Sequence, residues 1–279
     1  MDNTPLNKEL IADTSSWGLY IRIDENNLDV MLYNPVEDNS LIYRRIQLVG
    51  SDKESYLKSL ENAVYDNPLL LNDFSRTCVL IENKYFLLVP ECVTDSDLQE
   101  KLFAEAHTDY DGQDSEIIAD EVLPLHALML MSVDRKLLGF IRRAFVNPRI
   151  YNHQTPLLRY FADRRRHGNN AKMFVHLRRE NADIIVYDND GLRLANTYSF
   201  VAVDDIIYYI LAVRQEMGLD AATDELLISG EPELRRQISE KLKKFITFVM
   251  PVIFPGVMFR AGKNALSVPF DLIVIPLCE

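Results

Sequence analysis

Cysteine is scarce in this sequence, and no apolar run is long enough to cross a membrane. The three cysteines, Cys78, Cys92 and Cys278, are an odd and scattered set, typical of a reducing compartment and without metal-ligand spacing. The longest apolar stretch, residues 245–259, contains two prolines and is too short to span a bilayer. The N-terminus lacks the basic region and apolar run of a signal peptide. We therefore expect a cytoplasmic protein with no membrane span.

Short motifs that mark the common hydrolases and nucleotide-binding proteins are also absent. The sequence contains neither a Walker-type glycine loop nor a serine nucleophile elbow. Its five histidines form no i, i+4 pair and have no neighbouring cysteine, which excludes a zinc motif. A strand histidine such as His176 is more typical of a satisfied core residue than of a ligand.

Three acidic residues allow a nuclease interpretation. Asp24, Glu61 and Glu82 are predicted near the first strand, the first helix and the fourth strand, where a two-metal nuclease would place its carboxylates. All three fit more simply in solvated turns or on an exposed helix face. The nuclease is therefore only a minor alternative.

The remaining composition is that of a globular protein with a marked charge asymmetry. Apolar residues make up 48% and charged residues 26% of the 279 residues, which suits one large or two ordinary domains. The net charge of −12 argues against nucleic-acid binding over the whole surface. Residues 95–121 carry ten acidic residues against one lysine, whereas residues 135–179 carry twelve basic residues against one acid.

The basic segment, residues 135–179, has several interpretations. A charge run is commonly a solvated face, here balanced by the acidic stretch before it. The functional alternatives are an acidic protein partner, a nucleic acid whose bases stack on nearby aromatic side chains, or an anion held by Arg178 and Arg179. The acidity of the chain makes nucleic acid the less favoured partner.

An order of elements that occurs twice predicts the architecture. Residues 172–252 show three strands, a helix, a strand, a turn at Gly230 and a second helix. Residues 17–90 show the same strand–strand–strand–helix–strand order, with slight side-chain identity. We expect two structurally similar α/β halves that face each other across a cleft.

Three further segments are assigned from local composition. Residues 1–16 have the composition of a loose polar arm, and residues 109–115 that of an exposed loop tip. Residues 266–275 are predicted to form the last strand.

Four short stretches carry a family resemblance: Trp-Gly-Leu-Tyr at residues 17–20, three arginines at 164–166, Leu-Leu-Ile-Ser-Gly at 226–230 and Val-Pro-Phe-Asp at 268–271. With them, the chain resembles a family of uncharacterised bacterial proteins, chiefly from Bacteroidetes, described as having an actin-like ATPase fold. Type IV pilus and cell-division actin homologues are its analogues within that fold.

The resemblance implies an α/β actin-like architecture. Its two ribonuclease H-like domains stand in tandem, at residues 1–165 and 166–279, each a mixed five-stranded sheet with flanking helices.

Actin-like ATPases hold phosphate in two β-hairpin turns whose glycines let backbone N–H groups approach the ligand. Here neither the turn at residues 24–27 nor the turn at 178–181 contains glycine, and the adenosine-side turn keeps one glycine. The resemblance therefore implies only the remains of a cleft for ATP or ADP with Mg²⁺. Its candidate residues are Asp24, Asn26, Arg178, Arg179, Gly230 and Glu231.

The sequence thus predicts a non-catalytic, actin-like binding or scaffolding protein with degenerate phosphate loops and no catalytic or metal-binding residue. The first alternative is a working nucleotide-dependent ATPase with unconventional loops. The second is a protein that binds nucleic acid or an acidic partner through residues 135–179.

Overall fold

Two five-stranded mixed sheets form the framework of the molecule, which the computed structural model describes over residues 5–164 and 170–278. The first half, up to residue 164, contains β1 (Gly18–Ile23), β2 (Asn27–Tyr33), β3 (Leu41–Gln47), α1 (Lys53–Tyr65), β4 (Arg76–Ile81), β5 (Phe86–Pro90), α2 (Ser96–Ala106), β6 (Ser115–Val122), β7 (Ala127–Asp134), α3 (Arg135–Ala144), β8 (Arg149–Asn152) and α4 (Gln154–Arg164). The second half, from residue 170, contains β9 (Lys172–Leu177), β10 (Asn181–Tyr187), β11 (Leu192–Ser199), α5 (Val203–Glu216), β12 (Glu225–Gly230), α6 (Pro232–Leu242), β13 (Val249–Pro251) and α7 (Phe270–Ile273).

The two large sheets share one topology. Their strand orders are β3-β2-β1-β4-β8 and β11-β10-β9-β12-β13. In each sheet the first three strands form an antiparallel meander, and the fourth strand pairs parallel to the first. The helix that crosses from the third strand to the fourth is α1 in one half and α5 in the other. The predicted repeat of element order is therefore confirmed.

The central strands are buried on both faces because each face packs into a different core. In β1, Ile21 packs with α1 and α3, whereas Tyr20 faces the core between the halves. In β9, Val175 packs with α5 and α6, whereas Phe174 faces that same central core. Strands covered on both sides are near-continuous apolar runs, and β1 and β9 have that composition.

The central core joins the two halves through α4 and the C-terminal segment. The ring of Phe161 in α4 stacks on that of Phe174, with centroids 4.0 Å apart and an interplanar angle of 11°. The hydroxyl of Tyr187 donates to the carbonyl of Leu158 at 3.0 Å, and Leu272 of α7 is fully buried in the same cluster. The predicted domain boundary after residue 165 lies outside the described residues and stays a prediction.

A smaller antiparallel sheet with the order β5-β7-β6 extends the first half. It packs on α2 through a separate cluster centred on Phe103 and Leu130. Strand β5, at the end of the first repeat, lies in this sheet and not in the large one. Strand β6 was not predicted, because three of its eight residues are acidic and its faces are only partly buried.

Two segment predictions are wrong. The part of the N-terminal arm that is described is not loose: Leu6 and Ile11 are buried, and the Leu6 N–H donates to the Asn67 side chain at 2.8 Å. Residues 266–275 do not form a strand. They contain a 3₁₀ turn and α7, and Pro269 stands at the N-cap of α7, where its missing N–H costs nothing.

Candidate functional site

In the turn between β1 and β2, the first of the two predicted degenerate phosphate loops, backbone N–H groups are bound by the aspartate of the turn itself. The Asp24 carboxylate accepts the N–H groups of Asn26 and Asn27 at 2.8 and 2.7 Å. Asp and Asn commonly close a turn in this way. A phosphate bound at this turn would need these two N–H groups as donors, and the Asp24 carboxylate already accepts from both.

Arg22 lies beneath this turn and contacts four carboxylates. Its guanidinium nitrogens lie 2.6 Å from Asp24, 3.3 Å from Asp29, 2.5 Å from Glu82 and 2.8 Å from Asp271. Burial by itself would lower the pKa of Arg22, but the surrounding carboxylates outweigh it and raise the pKa well above its ordinary value. A guanidinium so enclosed is a fixed part of the structure.

Asp29 anchors the outer side of this cluster. One carboxylate oxygen accepts from the Tyr43 hydroxyl and from Arg45 Nε, both at 2.7 Å. Burial and the negative charge of Asp29 raise the pKa of the Tyr43 phenol. Asp29 is fully buried and is therefore held by charged and neutral donors together, as a buried carboxylate requires.

Glu82 joins the two halves. It follows β4 and bridges two guanidiniums: one oxygen lies 2.5 Å from Arg22 Nη2, and the other forms an ion pair with Arg178 Nη1. Arg22 stands near the end of β1, and Arg178 directly follows β9. The turns at residues 24–27 and 178–181, predicted to be degenerate phosphate loops, are thus connected by a carboxylate of the protein itself.

Asp183 organises the second half of the site. Its Oδ1 accepts from Arg178 at 2.7 Å, from His153 Nε2 at 3.0 Å, from Gln154 at 2.9 Å and from Thr197 at 2.7 Å. Burial would raise the pKa of this carboxyl, but Arg178 and His153 outweigh burial and hold the pKa far below its usual range. The backbone N–H of residue 83 approaches His153 Nδ1, so Nε2 carries the proton donated to Asp183.

Equivalent register positions in the two halves hold this network. Asp29 lies opposite Arg22 in the β1–β2 pair, and Asp183 lies opposite His176 in the β9–β10 pair. A buried carboxylate therefore occupies the same place in both meanders. Sequence reasoning missed this role, although a charged residue inside an apolar strand, as in β1, β2 and β10, was an available signal.

The adenosine-side turn is closed against the end of β9. Gly230 has φ +96°, and a Cβ added there would lie 1.9 Å from the Leu177 carbonyl oxygen. The Glu231 N–H donates to that same oxygen at 3.0 Å, just as the Glu82 N–H donates to Ile23 in the other half. This amide is therefore not available to a ligand.

The predicted site residues do not form one pocket. Asp24 and Arg178 belong to the ion-pair network, whereas the Asn26 side chain is exposed and Glu231 is an exposed residue before α6. The Arg179 side chain is 83% exposed, and its guanidinium lies 4.0 Å from Glu180. The residues present do not fit a magnesium triphosphate, because the donors facing the cleft are already bound to carboxylates of the chain.

Behind the network, His176 and Ser229 form a buried pair. Ser229 Oγ lies 3.0 Å from His176 Nδ1. The negative charge of Asp271 acts to raise the pKa of the same histidine. A serine beside a histidine suits nucleophilic catalysis only if substrate reaches it. Both residues are at most 3% exposed, so the interpretation of His176 as a core histidine is confirmed.

The burial of His176 predicts that the free energy of unfolding falls in acid. Burial lowers the pKa of His176 from 6.5 to about 4, against the opposing effects of Asp271 and Asp183. Between these two pH values the unfolded chain binds a proton that the folded chain does not, so the free energy of unfolding should fall by about 3 kcal/mol from pH 6.5 to pH 4. Denaturant titrations across this range measure it.

The matched variants are His176→Asn, which keeps a polar group near Ser229, and His126→Asn, whose side chain is 80% exposed. We expect the first to flatten the pH dependence and the second to leave it unchanged. Equal slopes in the wild type and His176→Asn would contradict the assignment.

The nuclease interpretation finds no support in the geometry. Asp24 and Glu82 both bind Arg22, and Glu61 lies on α1. Within residues 5–164 and 170–278, no three His, Cys, Asp or Glu side chains are placed to hold a metal ion.

Two surface cavities lie in the first half. One, of about 360 Å³, is lined by Asp24, Glu82 and the start of α1, beside the network. The other, of about 250 Å³, lies between α2 and β7 and is lined by Phe103, His107 and several aspartates. Both have acidic linings, which do not suit a phosphate.

Much of the basic segment is neutralised internally. Arg142 and Arg159 pair with Glu116 and Asp120 of the acidic stretch at 3.0 and 3.1 Å. Lys172 lies 3.1 Å from Glu225, and Arg178 belongs to the network. Arg165 and Arg166 lie outside the described residues. No helix in the described part of the chain is long and apolar enough to cross a membrane.

Comparisons with known proteins agree with this architecture. The sequence matches the family model described as "Protein of unknown function (DUF3822)" over residues 7–249. A crystal structure from Bacteroides thetaiotaomicron VPI-5482, a "protein with actin-like ATPase fold and unknown function", is similar with a TM-score of 0.78 and 23% identity, covering 95% of this chain and 97% of that chain. The PilM–PilN type IV pilus biogenesis complex is similar with a TM-score of 0.52 and 13% identity, covering 94% and 98%. No curated protein matches. These similarities confirm the predicted actin-like fold, and at such identities they show the fold alone.

Proposed function

This chain belongs to the DUF3822 family of proteins of unknown function, and we propose that it is a non-catalytic actin-like protein that acts by binding or scaffolding. The observation that carries this proposal is the bridge from Arg22 through Glu82 to Arg178. In an ATP-hydrolysing relative the two turns would converge on phosphates, and here they converge on a carboxylate.

Electrostatics explains why a nucleotide should not displace this bridge. A γ-phosphate would have to separate Glu82 from two nearly buried guanidiniums and approach the carboxylates of Asp24 and Glu25. Two like charges about 4 Å apart cost roughly 1–4 kcal/mol, depending on the local dielectric. A magnesium ion would offset this only if both acids became its ligands, and Asp24 is engaged with Arg22 and with the turn amides.

We expect no ATP turnover above background and no thermal stabilisation by ATP or ADP. A ligand that binds only the folded state stabilises it by about 2.7 kcal/mol at one hundred times its dissociation constant, an effect that thermal unfolding detects easily. Phosphate release and the melting temperature would be measured with Mg²⁺ or Mn²⁺, with metal alone as the blank.

The comparison variant is Asp24→Ala. Turnover in the wild type that disappears in this variant would contradict the proposal and favour the alternative, a working ATPase with unconventional loops. Absence of turnover in both proteins, without a nucleotide-dependent shift, supports the non-catalytic part of the proposal.

Recognition of an acidic protein partner or a nucleic acid through residues 135–179 is a weaker part of the proposal. Of its basic residues, Arg135, Lys136 and Arg143 are exposed and have no ion pair within the described residues. Such a partner would meet these three and the exposed Arg179, not the nearly buried Arg159 and Arg178. Net charge still favours an acidic protein over nucleic acid.

A further inference from the structure

The outer edge of the second sheet carries exposed apolar side chains next to lysines. Residues 241–270 contain five basic residues and no acidic residue, in a chain of net charge −12. We use the name basic-apolar edge for exposed side chains of β13 and of the residues directly before and after it. Its members are Lys243, Lys244, Phe245, Phe248, Met250 and Ile253, and its four apolar side chains are between 36% and 80% exposed.

The two lysines of this edge are not held in ion pairs within residues 5–164 and 170–278. Lys241 pairs with Asp204 at 2.6 Å, but Lys243 and Lys244 form no ion pair among the residues that the structure describes. The adjacent turn carries Asp220 and Asp224, whose oxygens accept backbone N–H groups. The lysines are therefore available to an external anion.

The backbone of the edge does not suit an added strand. Strand β13 has three residues, and one of them is Pro251, which has no N–H to donate. Short edge strands with proline are a common defence against strand addition. The binding capacity of this edge therefore lies in its projecting side chains, of which Ile253 is 80% and Phe245 58% exposed.

We propose that the basic-apolar edge binds the surface of an anionic lipid bilayer. Phe245 and Ile253 enter the interfacial region of the bilayer, and Lys243 and Lys244 remain at the level of the lipid phosphates. Peripheral binding commonly requires this combination of apolar insertion and positive charge. The inference goes beyond the proposed function, because this edge is separate from the cleft.

The charge distribution orients the molecule for such binding. Residues 1–165 carry 17 basic and 27 acidic residues, a net of −10, whereas residues 166–279 carry 13 and 15, a net of −2. An anionic surface repels the first half more strongly than the second half, in which residues 241–270 contain no acidic residue. A protein partner would need pockets for the projecting side chains, whereas a lipid surface needs none.

The test is vesicle flotation of the full chain. Vesicles of phosphatidylcholine with about one-third phosphatidylglycerol would be compared with pure phosphatidylcholine at low and moderate salt. We expect binding to the anionic vesicles that weakens with salt, and at least tenfold weaker partitioning of Phe245→Ser/Ile253→Ser and of Lys243→Glu/Lys244→Glu. Control variants are Val201→Ser, which changes a side chain 99% exposed elsewhere, and Lys8→Glu/Lys58→Glu, which matches the charge change.

Three results would overturn the proposal. The first is no binding of the wild type to anionic vesicles, and the second is equal loss in the control variants. The third is binding of soluble polyglutamate, or dimerisation in light scattering, that depends on Phe245 and Lys243 while vesicles are not bound. That last result would assign the edge to an acidic protein or to a second copy. Circular dichroism of each variant establishes that it is folded.

Discussion

Replacing Glu82 with glutamine is expected to lower the free energy of unfolding by about 3–5 kcal/mol, the usual cost of breaking a buried ion pair. Glu82 neutralises Arg22 and Arg178, whose side chains are 6% and 7% exposed. Glutamine keeps the shape of the glutamate side chain but removes its charge. The N–H groups of the glutamine amide would also face the N–H groups of the guanidiniums, which contain no acceptor. Both cations are then left partly unpaired.

Denaturant unfolding would measure this loss, with Glu25→Gln as the matched control. Glu25 lies in the adjacent turn and is exposed, so the same change of charge should alter stability by no more than about 0.5 kcal/mol. A double-mutant cycle with Arg178→Met isolates the bridge, and we expect the double variant to lose less than the sum of the single losses. Additive losses, or a Glu82→Gln variant as stable as Glu25→Gln, would refute the bridge.

Replacing Gly230 with alanine is expected to lower the free energy of unfolding by about 2–5 kcal/mol. The left-handed backbone of Gly230 costs a residue with a Cβ about 1–2 kcal/mol. Overpacking adds typically 1–3 kcal/mol, and here the new Cβ meets the Leu177 backbone, which cannot move without disturbing the β9–β12 pairing.

Two other glycines separate these effects. Gly218 has φ +70° with open space around it, so Gly218→Ala should show only the backbone cost. Gly256 has open space and no positive φ, so Gly256→Ala should be close to neutral. Thermal or denaturant unfolding of the three variants should rank Gly230→Ala as the most destabilised. A cost for Gly230→Ala no larger than that for Gly218→Ala would show that the turn does not press on β9.

The candidate site was predictable only in its local chemistry. The absence of glycine from both turns was visible in the sequence, and Asp24 and Arg178 were among the candidate residues named from those turns. The network around them was not predicted, because its members come from distant parts of the chain: Arg22 and Asp271, in contact at 2.8 Å, are separated by 249 residues. Local periodicity does not determine which charges meet across two sheets.

By itself, the sequence determined the order of elements and the repeat, because buried strands and amphipathic helices follow from periodicities of two and 3.6 residues. It also determined that the turns lack glycine. Only the tertiary structure decided that residues 270–273 are helical, that Leu6 and Ile11 are buried, and that Glu82 connects the halves. These features depend on which surfaces meet, and burial then makes pairing of the enclosed charges obligatory.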